Sequence, residues 1–279
     1  MRRIANIVAG MPATDGAGVK LNRIIGTPQM DMIDPFLMLD EFGSDDPSSW
    51  IAGFPDHPHR GFETVTIMLD GRVRHADSVG NKGAIEAGDV QWMTAGRGII
   101  HSEMPERAQG RLRGFQLWVN LPGALKLTPP CYQDITRSRV MLAAQAGVKA
   151  RVIAGEAFGV RGPAQTLIPL RVMEVELSPG AELRLPIPES HNVFVYLFHG
   201  QVSGSDKLGA SIQIDQGRLA IFEGNGDLQV TAGSEGAKML YCDGKPIGEP
   251  VARYGPFVMN TRDEIMQAFR DYERGELTA

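Results

Sequence analysis

The chain is broken into short stretches rich in Val, Ile, Leu and Phe, each closed by Gly, Pro or Asp, and this rhythm limits its fold more than any other feature. The runs Thr64–Leu69, Gly114–Val119, Arg171–Leu177 and Val193–Phe198 have the length and composition of strands. Turns punctuate them at Asp70-Gly71, Ala87-Gly88-Asp89, Pro179-Gly180 and His199-Gly200, drawing on 33 Gly and 18 Pro. Many strands joined by tight turns predict an all-β sandwich or barrel.

The rhythm also repeats. Gly71 and Gly200 each close an apolar strand, Gly88 and Gly217 each precede a run that leads to a polar turn, and both pairs lie 129 residues apart. Two copies of one fold explain this, and 279 residues suit two domains at roughly 150 residues each. Turn and proline chemistry at Asn120-Leu121-Pro122-Gly123 and Thr128-Pro129-Pro130 suits a linker, so the expected domains are 1–133 and 134–279. A short helix is predicted near the end of the second. Thr261 is its N-cap, Glu264 completes a capping box, and Ile265, Phe269 and Tyr272 form an apolar stripe for packing on a sheet.

The first copy holds the residues with chemistry to offer. His57-Pro58-His59 and His101-Ser102-Glu103 are two pairs spaced i, i+2, and on a strand that spacing puts both members on one face. Two such strands side by side aim three imidazoles and a carboxylate at one point. Those donors favour iron, manganese, nickel or cobalt over the thiolate sites often used by zinc and copper(I). An H-P-H tripeptide also suits a surface turn, and proline belongs at strand starts or edges. Against that, half of the chain's 6 His fall in these two pairs. At the 129-residue offset Pro186, Pro188, Val230 and Ala232 stand in place of His57, His59, His101 and Glu103, so the second copy is expected to bind no metal. Trp92 and Met93 suit a pocket wall or the core equally, and Arg97, between two glycines, reads as a turn residue.

A net charge of -5 and a pI near 5.7 lack the basic footprint of direct nucleic-acid binding. The only cysteines, Cys131 and Cys242, make no disulfide framework. The basic start is followed by an apolar run too short and interrupted for a secretory signal, and no stretch reaches membrane-span length. A cytoplasmic location is the expectation.

The runs Phe54–Val65 and Gln91–Pro105 resemble the signatures of the pirin family, within the cupin superfamily. Asp40-Glu41-Phe42-Gly43, Leu117–Pro122 and Gly255–Thr261 extend the likeness over essentially the whole chain. The resemblance implies a bicupin of two stacked antiparallel β-barrels, the first carrying iron(II) on His57, His59, His101 and Glu103 and the second without metal. The same donors also bind nickel, manganese, cobalt, copper or zinc. General cupins take a carboxylate soon after H-x-H, a place held here by Glu63; pirins use the one matching Glu103, which leaves Glu63 a supporting role. Two functions come with the resemblance. One is quercetin 2,3-dioxygenase activity, opening a flavonol with dioxygen and releasing carbon monoxide, for which Glu103 or a metal-bound base is expected to take the proton of the 3-hydroxyl. The other is an iron-dependent, redox-sensing regulator that binds a transcription factor or a metabolic enzyme. The absence of a basic footprint and of a targeting tail favours the enzyme.

Overall fold

The structure, a computed structural model, describes residues 1–107 and 110–279. Strands dominate, as the predicted all-β class requires, and among the described residues Arg262–Glu273 is the only α-helix. The chain forms two compact units, one of Met11–Arg137 with Ile247–Ala279, the other of Met1–Gly10 with Ser138–Pro246. The expected split at residue 133 differs from these units at both ends of the chain. Strand pairing is the reason: Arg3–Ala9 pairs with Arg218–Glu223, and Cys131–Ile135 pairs with Val90–Thr94. The segment after residue 247 joins the first-copy unit, where Arg60 bridges Phe257.

That first-copy unit has a seven-stranded and a four-stranded antiparallel sheet. The strand Phe62–Asp70 lies inside the larger sheet, between Val90–Thr94 and Arg113–Asn120, and is buried from Phe62 to Met68. Alternating β-branched residues in Thr64-Val65-Thr66-Ile67 fit such a doubly paired strand. The smaller sheet runs Phe54–His59, Ile99–Pro105, Arg72–Asp77, Lys82–Glu86. Val19, Leu21, Phe42 and Met68 from the larger sheet pack with Val73 and Ile85 from the smaller, around the fully buried Trp50.

The other unit is built on a nine-stranded sheet whose long members are Asn192–Ser205 and Leu228–Gly244. The 129-residue repeat is visible in its pairing: Thr64↔Met93 and Ile67↔Val90 recur as Val193↔Phe222 and Tyr196↔Leu219. At the first histidine pair the offset slips. Pro186 and Pro188 are exposed, and their neighbours Leu185 and Ile187 are the buried residues of that segment. Because side chains alternate, a slip of one residue changes the face. Leu183, Leu185 and Ile187 join Val230 and Ala232 in an apolar core, so the positions facing inward here offer no donor to a metal.

The C-terminal helix is capped as its sequence predicts. Thr261 Oγ1 accepts from the Glu264 N–H at 3.2 Å, and Glu264 Oε2 accepts from the Thr261 N–H at 2.8 Å. Its packing stripe differs: Ile265 and Ala268 are buried and Phe269 is partly so, while Tyr272 remains 40% exposed. Among the described residues, no helix is long and apolar enough to cross a membrane.

Candidate metal centre

The two histidine segments become neighbouring strands. Phe54–His59 and Ile99–Pro105 pair antiparallel with His101 opposite His57 and Ile99 opposite His59. The i, i+2 spacing then puts His57 and His59 on one face with His101 across from them. Their ligating atoms all lie within 4.8 Å of one another. Ring centroids are 4.7 Å apart for His57–His59, 4.4 Å for His57–His101 and 5.1 Å for His59–His101.

Backbone carbonyls orient two of the rings. His57 Nδ1 lies 2.8 Å from the Pro55 carbonyl oxygen and His59 Nδ1 lies 3.3 Å from that of Pro256. With Nδ1 as the donor in each, Nε2 is left as a lone pair, the tautomer a metal requires. Burial is the main force pushing His59 and His101 well below the usual histidine pKa, with the neighbouring rings adding to it. Both stay neutral. Both ring nitrogens of His101 are buried without a hydrogen-bond partner, a costly state that one bond to a cation relieves at one nitrogen. The donors present therefore fit a divalent first-row metal.

Glu103 is close by but outside the group of mutually close ligand atoms. A register shift separates it from His101, and its Oε1 lies 3.0 Å from Thr66 Oγ1. Thr66 Oγ1 is also 2.6 Å from Gln116 Oε1. One hydroxyl proton cannot serve both acceptors, so either Glu103 carries a proton and donates, or the Gln116 amide is turned to donate to Thr66. Burial raises the Glu103 pKa, against the pull of His57, Thr66 and His75.

Glu63 is directed elsewhere. It lies on the strand that carries Thr66, three positions away, and alternation therefore puts it on the opposite face. Its Oε1 accepts from Thr94 Oγ1 at 2.7 Å, and burial pushes its pKa up to about 7. Trp92 and Met93 are fully buried, so of the two readings left open the core one holds. Arg97 is exposed in a turn.

Several residues of the site had no sign in the sequence pattern. His75, buried on Arg72–Asp77, pairs across the sheet with Glu103, stacks on Tyr132 at 5.8 Å, and lies 3.6 Å from Asp134. A Cβ on Gly83 would meet its Nε2 at 2.6 Å. Nothing local in the sequence marked it or its neighbours, which come from strands distant along the chain. Trp118 packs on His59 with ring centroids 5.2 Å apart, and Phe62 packs on Trp118 at 4.2 Å.

His57, His59 and Glu103 line a cavity of about 660 Å³ inside the unit. Strand register layers its wall. Leu21 stands opposite Phe42 at one level; Arg23, Asp40, Gln116 and Thr66 pair successively at the next; Met38 and Trp118 pair beyond them. Arg23 binds Asp40 through two hydrogen bonds, 2.9 and 2.7 Å, and Asp15 at 2.8 Å.

Paired antiparallel barrel sheets with a histidine cluster opening into the interior define a protein of the cupin class, here with the histidine cluster in the first copy. The Pirin family model matches residues 18–119 and that of the Pirin C-terminal cupin domain matches residues 172–278, and the chain belongs to the pirin family. A pirin-like protein of Caulobacter vibrioides is 45% identical over 99% of this chain and 99% of its own length. A Pseudomonas aeruginosa relative, provisionally named a quercetin 2,3-dioxygenase, is 46% identical over 99% of this chain and 98% of its own. Among solved structures, a quercetin 2,3-dioxygenase from Acinetobacter baumannii superposes with a TM-score of 0.90 at 36% identity, covering 100% of this chain and 99% of its own.

Proposed function

We propose that the protein is a dioxygenase that opens flavonols such as quercetin with dioxygen and releases carbon monoxide, using iron(II) held by His57, His59, His101 and Glu103. The observation that carries this reading is the cluster of His57, His59 and His101, two of which line a largely apolar cavity of about 660 Å³, a size suited to a small aromatic molecule. The P. aeruginosa and A. baumannii relatives support it through the activity in their names.

When bound, such a metal supplies Lewis acidity and a template that orients the two reactants. The chain's own residues do the rest. Glu103, whose affinity for a proton is raised by burial, takes the proton of the flavonol 3-hydroxyl. Thr66 holds the receiving carboxylate in place through Oε1. Phe42, Phe54, Leu112 and Trp118 line the cavity, offer flat apolar surface to the rings and exclude water. An acidic pI with no basic footprint suits a cytoplasmic small-molecule catalyst.

The test is metal analysis of the protein purified from its own host, followed by oxygen uptake and carbon monoxide release with quercetin. Bound iron with quercetin-dependent uptake above that of free iron supports the proposal. Retained metal with no uptake refutes it.

A further inference from the structure

Arg253 lines the same cavity as His57, His59 and Glu103. Its guanidinium lies over the Trp118 ring, 4.9 Å from the centroid, and Trp118 in turn packs against His59. One terminal nitrogen donates to the Leu37 carbonyl at 3.2 Å and the other makes a weak contact of 3.6 Å with Met38 Sδ. Those contacts use two of five N–H groups. Among the described residues no carboxylate lies within ion-pair distance of it, whereas Arg23, the other arginine of the wall, is held by Asp40 and Asp15. The indole face fixes the plane of the guanidinium and leaves its edge for in-plane hydrogen bonds.

The wall opposite is of another kind. Val19, Leu21, Phe42, Val73 and Leu112 line the cavity on the far side of the polar level formed by Arg23, Asp40, Gln116 and Thr66. Hence a ligand that fills the space meets apolar surface at one end and, beside the histidines, a cation with unused donors at the other.

We propose that the cavity selects planar aromatic ligands ending in an oxyanion, a carboxylate or an ionised hydroxyl, which the Arg253 guanidinium binds in its plane while the ring system lies among Leu21, Phe42, Val73 and Leu112. The assignment builds on the dioxygenase reading, since it narrows the substrate class of that site, yet it concerns binding and can be measured without turnover. Arg253 acts here as a specificity residue. A forked pair of charge-assisted hydrogen bonds gives it directional selectivity for an oxyanion over a neutral hydroxyl.

Calorimetric titration of the full-length, metal-loaded protein with 2-naphthoate and with 2-naphthol, at pH 7, tests the assignment. Wild type binds the naphthoate more tightly. Arg253→Met weakens naphthoate binding roughly tenfold or more and changes naphthol binding less than about twofold, as loss of a hydrogen bond to a charged group predicts. Arg253→Lys, which keeps the charge and loses the fork, falls between, and thermal melting verifies that both variants fold. The same titrations on chelated protein separate Arg253 from any direct bond between carboxylate and metal. Equal affinity of wild type for the two probes, or an equal loss for both in Arg253→Met, overturns the proposal. Quercetin oxidation followed in parallel keeps the two readings apart. Discrimination without turnover rejects the dioxygenase reading alone, and turnover without discrimination rejects the Arg253 assignment alone.

Discussion

Glu63 and Glu103 are both buried carboxylates, and strand alternation gives them different surroundings. For Glu63 a folded-state pKa near 7 against an ordinary 4.5 means that the folded protein favours the protonated form. Its contribution to stability is complete below about pH 4.5 and is lost as pH rises through 7. Glu63→Gln is therefore expected to raise stability at pH 8 by about 1–3 kcal/mol, with a smaller change at pH 4, and to leave metal content intact. Urea unfolding at the two pH values measures this, and a larger gain at pH 4 would show that the sign is wrong. Thr66→Val probes the other carboxylate. Removing one hydrogen bond of about 1 kcal/mol is expected to lower kcat for a flavonol roughly fivefold with KM and metal content nearly unchanged. An unchanged kcat would show that Thr66 does not hold Glu103. The convergence of His57, His59 and His101 was legible because i, i+2 spacing on a strand is a local property, whereas the register shift that sets Glu103 apart from them was not. Nor were Thr66, His75 and Arg253, because their closeness to the site comes from pairings between distant strands that no local pattern records.

At the scale of elements, the C-terminal segment braces the turn that follows His59. Arg60 Nε donates to the Arg97 carbonyl, and the same guanidinium binds Asp271 at 2.6 Å and the Leu277 carbonyl at 3.3 Å. Lys126, almost wholly buried, donates to the carbonyls of Gly61 at 2.8 Å and Val258 at 3.1 Å and to Asn120 Oδ1 at 2.7 Å. All three of its protons are used. Asp271→Ala leaves the buried Arg60 without its charge partner and is expected to cost about 2 kcal/mol. Faster loss of metal to a chelator should accompany the lower melting temperature, since Arg60 adjoins His59. A variant that melts and releases metal like wild type would remove this brace from the account. The helix itself was legible from Thr261 and Glu264, since a capping box lies within four residues. Its burial pattern was less so: Ala268 is buried in place of Tyr272 because the partner surface, formed by Phe257, Met259 and Leu277, sets the width of the stripe.

On the scale of the whole molecule, strand composition sufficed for the all-β class, and spacing for the duplication. The 129-residue offset was accurate through the paired strands around Thr64 and Val193. It was off the inward face at Pro186 and Pro188, because turn lengths differ between copies and a one-residue slip reverses the face. Nothing in the linker composition disclosed that residues 247–279 join the first-copy unit. A chain cut at residue 133 lacks the Pro256 carbonyl that orients His59 and the Asp271 carboxylate that holds Arg60. Such a fragment is expected to bind metal far more weakly than the full chain, by equilibrium dialysis.

The central claim is that one metal per chain sits among His57, His59 and His101 and none in the second copy. Anomalous diffraction at the absorption edge of the native metal, from crystals of wild type and of His57→Ala/His101→Ala, tests it most directly. The account predicts a single peak per chain bounded by the three imidazoles in wild type and no peak there in the double variant. A peak in the 138–246 unit, or one that persists at the histidines after both substitutions, would contradict it.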